Sequence, residues 1–210
     1  WTLFQIYIAY QPIDVIIARA WHLAFAIALT FLAFPAYDQH APPWYIRGFG
    51  RVMPLIGLRS NRDRIPYVDM LLAAIATAAV LYIWWDYENI IMRSGLPNLP
   101  DVLFGAVCIA MLLEAARRAL GPALAILGLV FLAYCFVGPW MPTILRHPGI
   151  PLDFVINDMY LADTGIFGVP LGVSVGFVFL FVLFGALLDK AGAGTYFIDV
   201  AFAGLGGLSV

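Results

Sequence analysis

Apolar residues run along this chain in long unbroken stretches, and polar residues gather in the gaps between them. A helix crossing the hydrocarbon of a bilayer needs about 20 mostly apolar residues. Five stretches meet or approach that length, at about 15–34, 66–85, 102–119, 120–137 and 170–188. A sixth begins near Thr195. None alternates apolar with polar residues, so the period favours helices over the strands of a membrane barrel. The expectation is an all-α integral membrane protein, a polytopic helical bundle of about five complete transmembrane helices plus the start of a sixth.

The gaps carry the turn chemistry. Pro66 suits the first turn of its helix. Gly121-Pro122 makes a tight corner, which predicts a helical hairpin from the third and fourth helices. "DKAGAG" closes the fifth. There Lys190 favours the negative helix end, and Gly192 and Gly194 permit the positive φ on which helices stop. The loop at 138–169 is broken by prolines and then carries Leu152, Val155, Ile156, Met159 and Tyr160 near helical spacing, with Asp153, Asn157 and Asp158 between them. That pattern predicts a short amphipathic helix along the outer surface. The opening "WTLFQIYIAYQP" is too short to span; it reads as an interfacial helix or the tail of a longer one.

Composition and charge sharpen this picture. Hydrophobic residues make up 63% of the 210 residues and charged residues 11%, against about half and about a quarter in soluble domains. Mean hydropathy is +0.93. The net charge of −2, with no basic patch, does not suggest a nucleic-acid partner, and none is expected. Arg47, Arg51, Arg59, Arg62 and Arg64 follow the first helix, Arg117 and Arg118 close the third, and Lys190 follows the fifth. Basic residues thus alternate sides, and the positive-inside rule makes those sides cytoplasmic, with the start of the first helix outside. Cys108 and Cys135 sit in apolar runs without metal or disulfide spacing. The chain starts at Trp1 and stops at Val210 within an apolar stretch, so both ends read as cut.

Each candidate residue has a plain reading beside a functional one. Arg19 and His22, one turn apart, are snorkelling residues or a proton or substrate contact. Asp69 caps its helix dipole. Glu114, Arg117 and Arg118 form i+3 and i+4 pairs, either a scaffold ion pair or a lipid contact. Trp84, Trp85 and Trp140 fit an aromatic belt. Asp153, Asp158 and Asp163 form an acidic outer segment, read as solvated surface or a docking face. An intramembrane hydrolase or transferase needs paired His, Asp, Glu or Ser groups. His40 and His147 fall in loops, and neither Gly-Xaa-Ser-Xaa-Gly nor His-Glu-Xaa-Xaa-His occurs, so no enzyme is expected.

The stretch "TGIFGVPLGVSVGFVFLFVLFGALLDKAGAGTYFIDVAFAGLGG" (164–207) resembles the opening of the large membrane subunit of fused TRAP transporter permeases, the tripartite ATP-independent periplasmic transporters, in the branch paired with TAXI-type receptors. "RAWHLAFAIALTFLAFP", "LPDVLFGAVCIAMLLEAARRALGPALAILGLVFLAYCFVGPWMP" and "HPGIPLDFVINDMYLADTGIFGVP" resemble its fused small subunit and connector. The resemblance implies a small-subunit-like four-helix region at 1–138, a periplasmic connector at 139–169 and the start of the large-subunit region at 170–210. It implies ion-coupled uptake, usually with sodium, of a solute such as an organic anion, delivered by a periplasmic TAXI-type solute-binding protein at the inner membrane. Membrane lipids and the remainder of the permease are the other implied partners. No cofactor is implied, and the ion and solute sites are expected on re-entrant hairpins beyond this stretch. A scaffold or assembly subunit without transport is the alternative.

Overall fold

The computed structural model describes residues 1–34, 67–93 and 95–206, all helical or irregular. Helices α1 (Thr2–Tyr10), α2 (Val15–Ala33), α3 (Tyr67–Trp85), α4 (Tyr87–Met92), α5 (Leu99–Leu120) and α6 (Pro122–Val137) come first. Helix α7 (Leu152–Ile156) continues as a π-helical turn at Asn157–Leu161. Helices α8 (Val169–Val173) and α9 (Phe179–Lys190) are joined through a second π-helical segment, Ser174–Val178, into one rod. Helix α10 (Ala193–Gly206) follows. Among the described residues, five helices are long and apolar enough to cross a membrane: Val15–Ala33, Tyr67–Trp85, Leu99–Leu120, Pro122–Trp140 and Val169–Lys190. Each lies within a few residues of its predicted run. The five-arginine loop on which the orientation argument leans lies outside the described residues.

Small residues let the first two spans approach closely. Ala20, Ala24, Ile27 and Phe31 on α2 face Ala73, Ala76, Val80 and Ile83 on α3, all buried. Lipid tails are as apolar as leucine, so close van der Waals contact holds helices together in a membrane, and alanine stripes permit it. Helix α5 packs across this pair with Cys108 and Ala115 inside. Its start is fixed by a capping box: the Asn98 side chain accepts from the Asp101 N–H, and Asp101 accepts from the Asn98 N–H. Its end turns at Gly121, where φ is +92°, and Pro122 opens α6 as expected of that corner. Gly192, at φ +76°, ends α9 in the same way.

The expected amphipathic helix is present, and its apolar face lies on protein. Val155, Ile156 and Tyr160 are buried. Tyr160 donates its hydroxyl to the backbone oxygen of Ala79 in α3. A Cβ on Gly105 would sit 2.6 Å from Ile156 Cγ2 and 2.9 Å from Tyr160 Cδ1, so α5 admits this segment only because residue 105 is glycine. Burial pushes the Tyr160 hydroxyl pKa well above its usual value.

The opening helix α1 runs back along the first half of α2. Trp1 reaches His22, Phe4 contacts Trp21 and Phe25, and the chain returns through Asp14, whose carboxylate caps α2. It packs on protein on one side, with Gln5 buried and Leu3 and Tyr10 exposed.

Candidate functional site

Among the described residues, polar side chains inside the bundle gather into three groups, and the first and third join segments distant in sequence. The first lies where α2 and α5 end and α3 begins. The Arg117 guanidinium bonds Glu114 through two contacts of 2.7 Å. Arg118 donates Nε to Glu114 Oε1 at 2.8 Å and Nη1 to Asp69 Oδ1 at 2.8 Å. The same Nη1 reaches the Phe34 carbonyl oxygen at 3.3 Å, and the guanidinium covers the Phe31 ring. The side chains of Arg118 and Asp69 are 1% and 2% exposed. Asp69, read from sequence as a dipole cap, is a buried counter-ion 49 residues from its partner. One arginine therefore ties three spans together.

The second group lies at the opposite end. Asp101, fully buried, accepts from Arg93 Nε and Nη2 at 2.9 Å each and from the Tyr82 hydroxyl at 2.7 Å. Arg93 also pairs with Asp86, which accepts from Asn89 at 2.7 Å. The Arg93 and Asn89 hydrogen bonds hold the Asp86 carboxyl below the usual carboxylate range. The two carboxylates in turn raise the Arg93 pKa. Beside this group lies a pocket of about 250 Å³ lined by Arg93, Asp101, Asn157 and Asp163 among others. Tyr87, which also lines it, has its hydroxyl pKa pushed up to about 12 by burial and by a hydrogen bond to Asp14. Sequence reading missed this group. Nothing in the spacing of Asp86, Arg93 and Asp101 reveals that they converge.

The third group sits between α1, α2 and the α8–α9 rod. Gln5 Nε2 lies 3.0 Å from His22 Nδ1 and donates to the Val175 carbonyl oxygen at 3.1 Å. The Trp1 indole N–H also points to His22 Nδ1, at 3.3 Å. Two N–H donors on one nitrogen require that Nδ1 accept, so the proton sits on Nε2, which donates to Ser174 Oγ at 3.1 Å. Arg19 Nη1 donates to the Phe167 carbonyl oxygen at 2.6 Å. His22 is 4% exposed and Gln5 is 1% exposed. These side chains grip the π-helical segment, whose widened turn presents Ser174 and Val175 to them. The plain snorkelling reading of Arg19 and His22 is replaced by contacts with another span.

Asp153, Asp158 and Asp163 are all exposed at the α7 end. Thr164 Oγ1 lies 3.3 Å from both the Asp158 carbonyl oxygen and its carboxylate. Both cysteines are free thiols, Cys108 buried and Cys135 half-buried. No group of three or more His, Cys, Asp or Glu able to hold a metal occurs among the described residues.

Residues 107–209 match the family model of the tripartite ATP-independent periplasmic transporter, DctM component. The match supports a TRAP transporter permease component. It begins within α5 and takes in α6 to α10, so the TRAP-like stretch includes Arg117, Arg118, Asp153, Asp158 and Asp163. No curated protein and no solved structure matches the chain. Helices α1 to α4 lie outside the matched stretch. Gln5, Arg19 and His22 are thus contacts made from outside it onto the α8–α9 rod within it.

Proposed function

We propose that this chain is the scaffold portion of a fused TRAP permease, the TAXI-receptor type, that takes up a solute such as an organic anion with an ion gradient, usually sodium. The observation that carries the reading is the DctM-component match across residues 107–209, on an all-helical chain with five helices able to span. On this reading 1–138 is the small-subunit-like region, 139–169 the periplasmic connector and 170–210 the start of the transport subunit. Two ion-pair groups and the alanine-lined α2–α3 contact suit a rigid support. A transporter that moves solute by displacing one domain needs a second domain that does not deform.

The α7 end is the periplasmic face, and Asp153, Asp158 and Asp163 are the docking charges for the receptor. Their exposure at that end supports the assignment. Glu114, Arg117 and Arg118 serve the scaffold as an interhelical ion pair. The function is transport rather than catalysis, in keeping with the family matched.

The test is uptake into proteoliposomes containing the full-length permease, with and without its receptor and with and without a sodium gradient. Uptake is expected to require both. Uptake that ignored the receptor would defeat the tripartite reading. Reversing Asp153, Asp158 and Asp163 to Lys should lower the receptor-dependent rate, because complementary charge acts mainly on association. An unchanged rate would remove the docking assignment.

A further inference from the structure

The groove between α1, α2 and the α8–α9 rod has about 450 Å³ of space, a volume suited to a ligand. Its walls are apolar apart from Gln5 and Arg19. At its rim Val15, Val169 and Phe177 are exposed, so the groove opens between apolar residues of two spanning helices. Arg19 lies one turn inside the spanning helix Val15–Ala33.

Two observations point to an occupant. Arg93, Arg117 and Arg118 each pair with a carboxylate, and Arg146 is exposed; among the described residues Arg19 is the spanning-helix arginine with no carboxylate in reach. Its guanidinium is pinned rather than free to extend to water. Nη1 is bonded to Phe167, and a Cβ on Gly172 would sit 2.6 Å from Nη2 and 2.9 Å from Nε. Among the described residues, the buried side-chain polar atoms left without a partner are Arg19 Nε and Gln5 Oε1, both on residues of this groove. A guanidinium at membrane depth without a counter-charge is costly, and an anion relieves that cost.

We propose that this groove seats an anionic phospholipid, with the phosphodiester on Arg19 and an acyl chain along the walls formed by Ile8, Ile13, Val173 and Leu180. The phosphodiester meets Arg19 Nη2, the guanidinium nitrogen that is neither hydrogen-bonded nor enclosed, while the enclosed Nε and Gln5 Oε1 leave the charge without compensation from the protein. The occupant is a lipid rather than a free anion because the space beyond the one charge is apolar and is rimmed by exposed apolar residues of two spanning helices. The bound lipid fills the seam between α1–α2 and the TRAP-like rod.

The test is phosphatidylglycerol binding to the delipidated full-length permease, read by native mass spectrometry and by the rise in its thermal midpoint. Arg19→Gln keeps a donor for the Phe167 carbonyl and removes the charge; it should weaken binding about tenfold. Arg19→Lys should restore part of it. Val173→Trp leaves Arg19 intact and fills the groove, so it should also weaken binding, and it decides the matter if Arg19→Gln does not fold. Inorganic phosphate should neither bind nor compete. Equal lipid binding by Arg19→Gln, or by Val173→Trp, would overturn the proposal. Displacement of the lipid by inorganic phosphate would overturn it in favour of a free-anion site.

Discussion

The spans of this protein fall into two halves that use the same apolar residues differently. In α2 and α3, 39% and 33% of the spanning window is buried within the chain; in Pro122–Trp140 and in Val169–Lys190 only 6% is. Hydropathy runs opposite to burial, at 1.9 and 1.8 for the buried spans against 2.1 and 2.6 for the open ones. Alanine stripes and charges separate them. The buried half carries Ala20, Ala24, Ala73 and Ala76 on facing surfaces, with the Arg118 group at one end and the Asp101 group at the other. The open half has bulky exposed side chains such as Leu129, Phe131, Phe181 and Phe184. In hydrocarbon, apolar character places a helix in the membrane and says little about which helices meet. Close-fitting small residues and buried polar partners decide that.

The contrast breaks most sharply at Arg118. Asp69→Ala leaves the buried guanidinium short of its main interhelical partner and should cost about 3–5 kcal/mol in unfolding measured in detergent. The double variant Asp69→Leu with Arg118→Met removes both buried charges and should recover most of that loss. A single variant as stable as wild type would show that the pair does not hold the buried half together.

A smaller effect is expected at Gly105. Gly105→Ala drives a methyl into Ile156 and Tyr160 and should cost about 1–3 kcal/mol. Hydrogen exchange over residues 152–161 should rise, since those residues lose their seat on α5. Unchanged exchange there would mean that α7 is held by other contacts.

The Asp86 contribution is smaller still and depends on pH. Its carboxyl is held below the ordinary value of about 4 by Arg93 first and Asn89 next. Its stabilisation is therefore complete above that value and disappears as pH falls through the lowered one. The gap in thermal midpoint between wild type and Asp86→Asn should be constant near neutrality and close as pH drops below about 4. A gap that widened on acidification would reverse the assigned sign.

The smallest effect is predicted in the open half. Leu129 on α6 is 56% exposed, so Leu129→Ala should change the stability of the isolated chain by no more than about 0.5 kcal/mol. A loss above about 2 kcal/mol would show that this face packs against protein, and the two halves would then be alike.

Some of this was legible without coordinates. The five spans, the Gly121-Pro122 corner and the amphipathic segment all follow from runs and periods of one to two dozen residues, and the described helices lie within a few residues of those readings. The Glu114–Arg117–Arg118 contacts were legible for the same reason, since residues three and four apart on a helix are neighbours. Asp69 was not: its position in a first helical turn has a sufficient local explanation, and its partner is 49 residues away. Tyr82, Asp86, Arg93 and Asp101 come together because α4 folds back between α3 and α5, a geometry no local spacing encodes. Gln5 was hidden by its apolar surroundings, and the π-helical turn whose Val175 carbonyl it meets has no spacing signature.

The amino-acid order alone pointed to lipid as the solvent, to the five spans seen among the described residues and to the corners at Gly121 and Gly192, because burial in lipid and helix termination are short-range demands on composition. Which span touches which, which charges are paired and which arginine lacks a carboxylate were decided only when the helices packed. A lipid bilayer rewards every apolar face equally, so the choice among faces rests on a few small and polar residues whose partners lie far along the chain.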